Sequence, residues 1–112
     1  MLRRFVFEHK ILASAARTTS GNSENVNVGD LLEGIVLVSV SAKAGTTPNL
    51  KIYIEVSNDL INWYPLAEFF AITDVGNYSL QIENFGRYIR ERHDISGGSP
   101  SFTYECNFLG KG

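Results

Sequence analysis

The sequence predicts an all-β domain, an antiparallel eight-stranded β-sandwich of jelly-roll-like form. Three observations carry that prediction. Apolar residues recur with period two and nowhere with helical spacing, turn-forming clusters interrupt the chain at regular intervals, and the apolar content is enough for one core. Short alternating strands separated in this way build sandwiches or barrels.

The first strand is expected over residues 5–18. Alanine at 13, 15 and 16 does not make it a helix, because Thr18, Thr19 and Gly21 leave no room for one. A polar loop over 19–25 leads to a very short strand at 26–28. Residues 34–42 then alternate, with Val36, Val38 and Val40 on one face and Ile35 and Leu37 on the other. Residues 50–56 alternate again, placing Leu50, Ile52, Ile54 and Val56 together. Between these runs, Lys43-Ala44-Gly45-Thr46-Thr47-Pro48-Asn49 is a cluster of turn formers and reads as the loop of a β-hairpin. The polar turn Ser57-Asn58-Asp59-Leu60-Ile61-Asn62 precedes a strand over 63–72. Thr73-Asp74-Val75-Gly76 precedes another over 77–83, with Tyr78, Leu80 and Ile82 alternating. Residues 87–95 and 101–109 are expected to form a second hairpin across Ser96-Gly97-Gly98-Ser99-Pro100. Glu91 and His93 interrupt the apolar row between Ile89 and Ile95, so the buried face of that strand stays open.

The chain also repeats itself. Gly45 to Ile54 matches Gly97 to Cys106 when the two prolines are aligned, allowing a one-residue slip at the first glycine. Leu50, Ile52, Ile54 and Val56 then fall opposite Phe102, Tyr104, Cys106 and Phe108, which places Cys106 in the core. Two such hairpins packed face to face would give a pseudo-symmetric sandwich.

Composition bounds the function. A chain of 112 residues holds one domain and buries roughly two-thirds of its unfolded surface, so neither disulfide nor metal is required. Residues 1–8 read as an N-terminal arm or the start of the first strand, and 9–110 as a single sandwich domain. Ten basic against twelve acidic side chains, net −2, give no excess for phosphate, so nucleic acid is not the expected partner. Glu8, His9 and Lys10 break the apolar start, so no signal peptide, no membrane partner and synthesis in a cytoplasm are expected. Cys106 is the only cysteine, and no disulfide can form within the chain.

No catalytic constellation emerges. His9 and His93 lack the paired spacing of a zinc site, and Asn58, Asp59 and Asn62 read as a side-chain-stabilised turn before they read as a calcium site. No serine sits in a strand-to-helix elbow, and Gly97-Gly98 precedes no helix. The expectation is a non-enzyme without cofactor or metal. A hydrolase would need a closed polar pocket holding a histidine beside a carboxylate. The strongest charge features are Arg87, Arg90 and Arg92, with Arg3 and Arg4 at the start. The first three fit a solvated sheet face paired with Glu83, Glu91 or Glu105, or a contact with an acidic partner. Phe5 and Phe7 belong either to the first strand or to an arm docking on a neighbouring subunit. Partner binding is therefore assigned to Arg3, Arg4, Phe5, Phe7, Arg87, Arg90 and Arg92. Trp63 and Tyr64 are core or rim residues, or a stacking platform for sugar.

Gly45-Thr46-Thr47-Pro48-Asn49-Leu50-Lys51-Ile52, Ser57-Asn58-Asp59 leading to Trp63, Gly86-Arg87-Tyr88-Ile89-Arg90 and Gly98-Ser99-Pro100-Ser101-Phe102-Thr103 follow one another in an order that resembles small tailed-phage and prophage virion β-sandwich proteins. The resemblance covers residues 12–109. It implies a structural protein of the virion, decorating or cementing the head, bound to the major capsid protein or other virion proteins. It also implies a homo-oligomer formed through edge strands or the N-terminal arm. A second resemblance rests on Glu55-Val56-Ser57-Asn58-Asp59 with Trp63 and on Arg87-Tyr88-Ile89-Arg90. These are similar to galactose-binding-like jelly rolls, and imply a carbohydrate-binding module or tail adhesin.

Overall fold

The structure is a computed structural model that describes residues 6–112. Its strands are β1 (Val6–Arg17), β2 (Gly21–Asn22), β3 (Val26–Asn27), β4 (Glu33–Ser57), β5 (Tyr64–Glu68), β6 (Gly76–Glu83) and β7 (Tyr88–Lys111). All pair antiparallel within one hydrogen-bonded sheet of seven strands, against the eight expected. The two expected hairpins account for the loss of two strands, and β2, formed inside the loop expected over 19–25, adds one. Residues 34–42 and 50–56 do not pair with each other; they are the two halves of β4. Likewise 87–95 and 101–109 belong to β7. β4 and β7 run antiparallel along their whole length, from Glu33 opposite Lys111 to Ser57 opposite Tyr88.

The turn chemistry is real, but it bends a strand instead of reversing the chain. Gly45 (φ 111°) and Thr47 (φ 45°) take left-handed backbone in β4, and Gly97 (φ 124°) and Ser99 (φ 48°) do so in β7. Gly45-Thr46-Thr47-Pro48 and Gly97-Gly98-Ser99-Pro100 thus align without any slip and share one backbone pattern. Each glycine lies against the other bend. A Cβ on Gly45 would sit 2.7 Å from the Ser99 carbonyl oxygen, and one on Gly97 would sit 2.9 Å from that of Thr47. A straight strand of β4's length would span roughly 80 Å at about 3.3 Å per residue, whereas the molecule's longest extent is 51 Å. The Tyr104 hydroxyl also touches Glu91 of its own strand, 13 positions back. The ribbon is therefore folded over at its bends, and one continuous sheet becomes a jelly-roll-like sandwich.

Two facing layers result. The lower layer carries β1, residues 101–111 of β7, residues 33–42 of β4, and β6; the upper carries β2 and β3, residues 88–96 of β7, residues 49–57 of β4, and β5. Their inward rows form one core. Val36, Val38 and Val40 face Leu50, Ile52 and Ile54 along β4, and Ile89 with Phe102, Tyr104, Cys106 and Phe108 line β7. Full burial of each large side chain contributes roughly 2–3 kcal/mol, so these rows hold the bend closed. The expected strand over 63–72 breaks after Glu68. Phe69 and Ile72 still bond to Ile52 and Leu50 by their backbones, but Phe70 between them points outward and is 95% exposed.

Candidate functional site

The even-numbered residues of the upper layer's β4 segment and the odd-numbered ones of its β7 segment point into the core, so Lys51, Tyr53 and Glu55 share its outer face with Arg90, Arg92 and Asp94. Register sets them directly opposite in complementary pairs: Lys51 with Asp94, Tyr53 with Arg92, and Glu55 with Arg90. Arg90 Nε donates to Glu55 Oε1 at 2.9 Å, and Arg92 Nε to Oε2 at 3.2 Å. Arg92 Nη1 also reaches both oxygens of Asp94 at 3.1 Å. The Arg90 guanidinium lies 4.3 Å over the Trp63 ring and that of Arg92 lies 4.0 Å over Tyr53. Stacking of this kind adds about 0.5–2 kcal/mol per pair, and an exposed ion pair adds less. The result is a lattice of guanidinium and aromatic planes in which Glu55 and Asp94 balance the charges of Arg90 and Arg92.

The expected site residues do not all converge. Arg90 and Arg92 do, with Glu55 and Asp94 as partners in place of Glu83, Glu91 or Glu105. Arg87 stands apart before β7, its N–H donating to Asn58 Oδ1 and its carbonyl accepting from Val28. Phe7 lies in β1 of the lower layer, opposite Gly110, its ring stacked on His9 and 6.4 Å from that of Phe108. Arg3, Arg4 and Phe5 lie outside the described residues.

The sequence missed a polar cluster inside the sandwich. Glu91, fully buried, and His93, 6% exposed, occupy the inward row of β7. Glu91 Oε1 lies 2.7 Å from His93 Nδ1, and the Tyr104 hydroxyl donates to Oε2 at 2.7 Å. Ser23 Oγ accepts from the Glu91 N–H. His93, which the spacing argument set aside as a zinc ligand, is thus a buried partner of Glu91 and not a surface or interface residue. The alternation Ile89, Glu91, His93, Ile95 left the buried face of this strand open, because the partner that makes the inward placement tenable, Tyr104, lies 13 positions along the chain from Glu91. Burial raises the Tyr104 phenol far above its ordinary range, with the Glu91 carboxylate adding to it, and burial likewise pushes the Cys106 thiol up. Both stay protonated and unreactive. Two grooves open on the lower layer, one lined by Glu33, Gln81, Glu83 and Lys111, the other by Glu8, Lys10, Leu37 and Leu109; neither is lined by Glu91 or His93. Among the described residues no three His, Cys, Asp or Glu side chains converge to hold a metal ion.

The turn after β4 is built by side chains. Ser57 Oγ accepts from the Asp59 and Leu60 N–H groups, and Asp59 Oδ1 from those of Ile61 and Asn62. The Asn62 and Ile61 N–H groups hold the Asp59 carboxyl well below the usual carboxylate range, from an ordinary 3.8. A carboxyl depressed on folding adds stability that is fully present above the unfolded value and is lost as pH falls through the folded one. The melting-temperature gap between wild type and Asp59→Asn is therefore expected to shrink as pH is lowered from 7 to 2.5. A gap that stays constant would remove the carboxylate from this role.

Among the described residues the exposed aromatics do not gather at one end. Tyr64, 61% exposed, and Phe70 stand at opposite ends of β5, and one face of Trp63 is covered by Arg90. No protein-family model matches the chain, and none of the curated proteins matches it in sequence. Solved structures do match. The SPBc2 prophage-derived protein YomS superposes at a TM-score of 0.65 with 12% identity, over 100% of this chain and 97% of that one. A subunit of Bacillus endospore appendages, described as a family of disulfide-linked pili, gives 0.57 and 10%, over 96% and 88%. A chain of infectious bursal disease virus, Gx strain, gives 0.51 and 10%, over 97% of this chain but 32% of the viral one. At such identities the likeness is one of fold.

Proposed function

We propose that this chain is a non-enzymatic structural protein of a phage or prophage virion, decorating or cementing the capsid shell. The observation that carries the reading is the end-to-end match in fold to a prophage-derived protein, which leaves almost nothing of either chain unmatched. The same fold in an appendage subunit and in a viral chain supports a scaffold suited to assemblies. A stiff sandwich with a pre-ordered outer face is what such a role needs, since many copies on a shell turn weak contacts into firm attachment. Major capsid protein or another virion protein is the partner, and the Arg90–Arg92 lattice is the face offered to it. Disulfide linkage between copies is not part of this reading, because the single cysteine is buried.

Gradient-purified particles from an induced lysate, quantified by mass spectrometry against the major shell protein, test the proposal. Copy numbers comparable with the shell protein are expected. A handful of copies would move the protein to the tail or connector, and absence from particles would overturn the virion reading.

A further inference from the structure

The outer strands of the two layers are not equally protected against pairing with another chain. A bare edge strand is a template for association, and proteins blunt it with bulges, proline, charge or brevity. β1 is interrupted by register shifts between Lys10 and Leu12 and between Leu12 and Ala15. β2 and β3 are two residues each. β5 spans five residues, contains Pro65 and shifts register within its pairing. β6 has the fewest of these guards, its only charge being Glu83 at its very end. It pairs with β4 over eight residues without a shift, from Gly76 opposite Val40 to Glu83 opposite Glu33, and carries neither proline, lysine nor arginine. Among the described residues no strand lies on its other side. Two of its inward side chains, Tyr78 and Leu80, are only half-buried, although their counterparts Val38 and Val36 on β4 are sealed.

We infer that β6 pairs antiparallel with β6 of a second copy across a two-fold axis, Leu80 opposite the partner's Leu80. Residues opposite each other in an antiparallel pair share a face, which restricts the register. In this one Tyr78 lies opposite the partner's Ile82, an aromatic and β-branched pair of the favoured kind, on the core side. Ser79 meets the partner's Gln81, and Asn77 meets the partner's Glu83, on the outer side. No like charges face each other. Centring the pair on Ser79 instead would set Ile82 against the partner's Gly76 and leave it uncovered. The chosen register joins the lower layers of two copies into one continuous sheet, and as an isologous contact it closes at two. The inference does not depend on the virion reading.

Sedimentation of the purified chain over a range of concentrations tests it, with two variants at exposed positions. S79K/Q81K sets lysine opposite lysine on both sides of the axis. It is expected to weaken the dimer about tenfold or more, with the melting temperature of the monomer unchanged. S79K/Q81E sets lysine opposite glutamate in this register only, and is expected to restore the dimer. Amide exchange on wild type supplies a readout free of variants: protection of the β6 amides rises with concentration while that of β1 and β5 does not. A wild-type chain that stays monomeric, a dimer indifferent to S79K/Q81K, or a S79K/Q81E variant that stays monomeric would each overturn the proposal.

Discussion

Gly45→Ala is expected to lower the melting temperature by about 12 °C. At φ 111° the backbone is one that residues with a Cβ rarely adopt, and such strain costs roughly 1–3 kcal/mol. The added methyl would lie 2.7 Å from the Ser99 carbonyl oxygen, 2.8 Å from that of Gly98 and 2.9 Å from Pro100 Cα, all backbone atoms that cannot rotate away. Overpacking of this kind costs roughly another 1–3 kcal/mol. The two together span roughly 2–6 kcal/mol; about 3 kcal/mol, in the lower half of that range, gives the stated shift at roughly 4 °C per kcal/mol for a chain of this size. Gly97→Ala should behave alike, since a Cβ there meets the Thr46 and Thr47 carbonyls and Pro48. Gly98→Ala is the control: its nearest neighbour is the Thr46 side chain at 3.3 Å, and its loss should stay below about 1 kcal/mol. Thermal unfolding by circular dichroism measures all three. A Gly45→Ala protein melting within 3 °C of wild type would refute the account of the bend.

Tyr104→Phe is expected to cost about 2–3 kcal/mol, because it leaves Glu91 Oε2 buried without its donor. The ring stays and no cavity opens, so the loss isolates the hydroxyl. Replacing the whole cluster is a different matter. E91L/H93L/Y104F removes every group that needs a partner, and apolar replacement of a buried polar set is commonly neutral or stabilising. Chemical denaturation should therefore rank Tyr104→Phe below both wild type and the triple variant. If the triple variant is the least stable of the three, the polar cluster contributes net stability, and the desolvation argument is wrong for this core.

Much of this fold could be read from period-two alternation. The inward rows Val36-Val38-Val40, Leu50-Ile52-Ile54 and Phe102-Tyr104-Cys106-Phe108 lie where the sequence put them, and β6 spans Gly76–Glu83 against an expected 77–83. What the sequence did not reveal was the partner of each strand. Gly-x-Thr-Pro and Gly-x-Ser-Pro signal a change of direction, and local chemistry is the same whether the chain reverses or merely bends. Only the contact between the two bends, 52 positions apart on the chain, distinguishes them. The site was legible in the same uneven way. Arg90 and Arg92 share a strand face by parity alone, but Glu55, Tyr53 and Trp63 reach them through long-range register. Arg87 shares the sequence neighbourhood without sharing the site, because it sits outside the strand.

The pairing of Val6 with Lys111 has a mechanical consequence. In an antiparallel ladder the hydrogen bonds run perpendicular to the strands, so tension applied between two adjacent ends meets them one at a time and peels the pair open like a zipper. Pulled apart at Val6 and Lys111, the β1–β7 pair would resist weakly. Force spread along the length of β4 and β7 would load the whole central ladder in shear. A tether that must hold under strain is therefore better fixed through the sheet faces and edges than through these two adjacent strand ends.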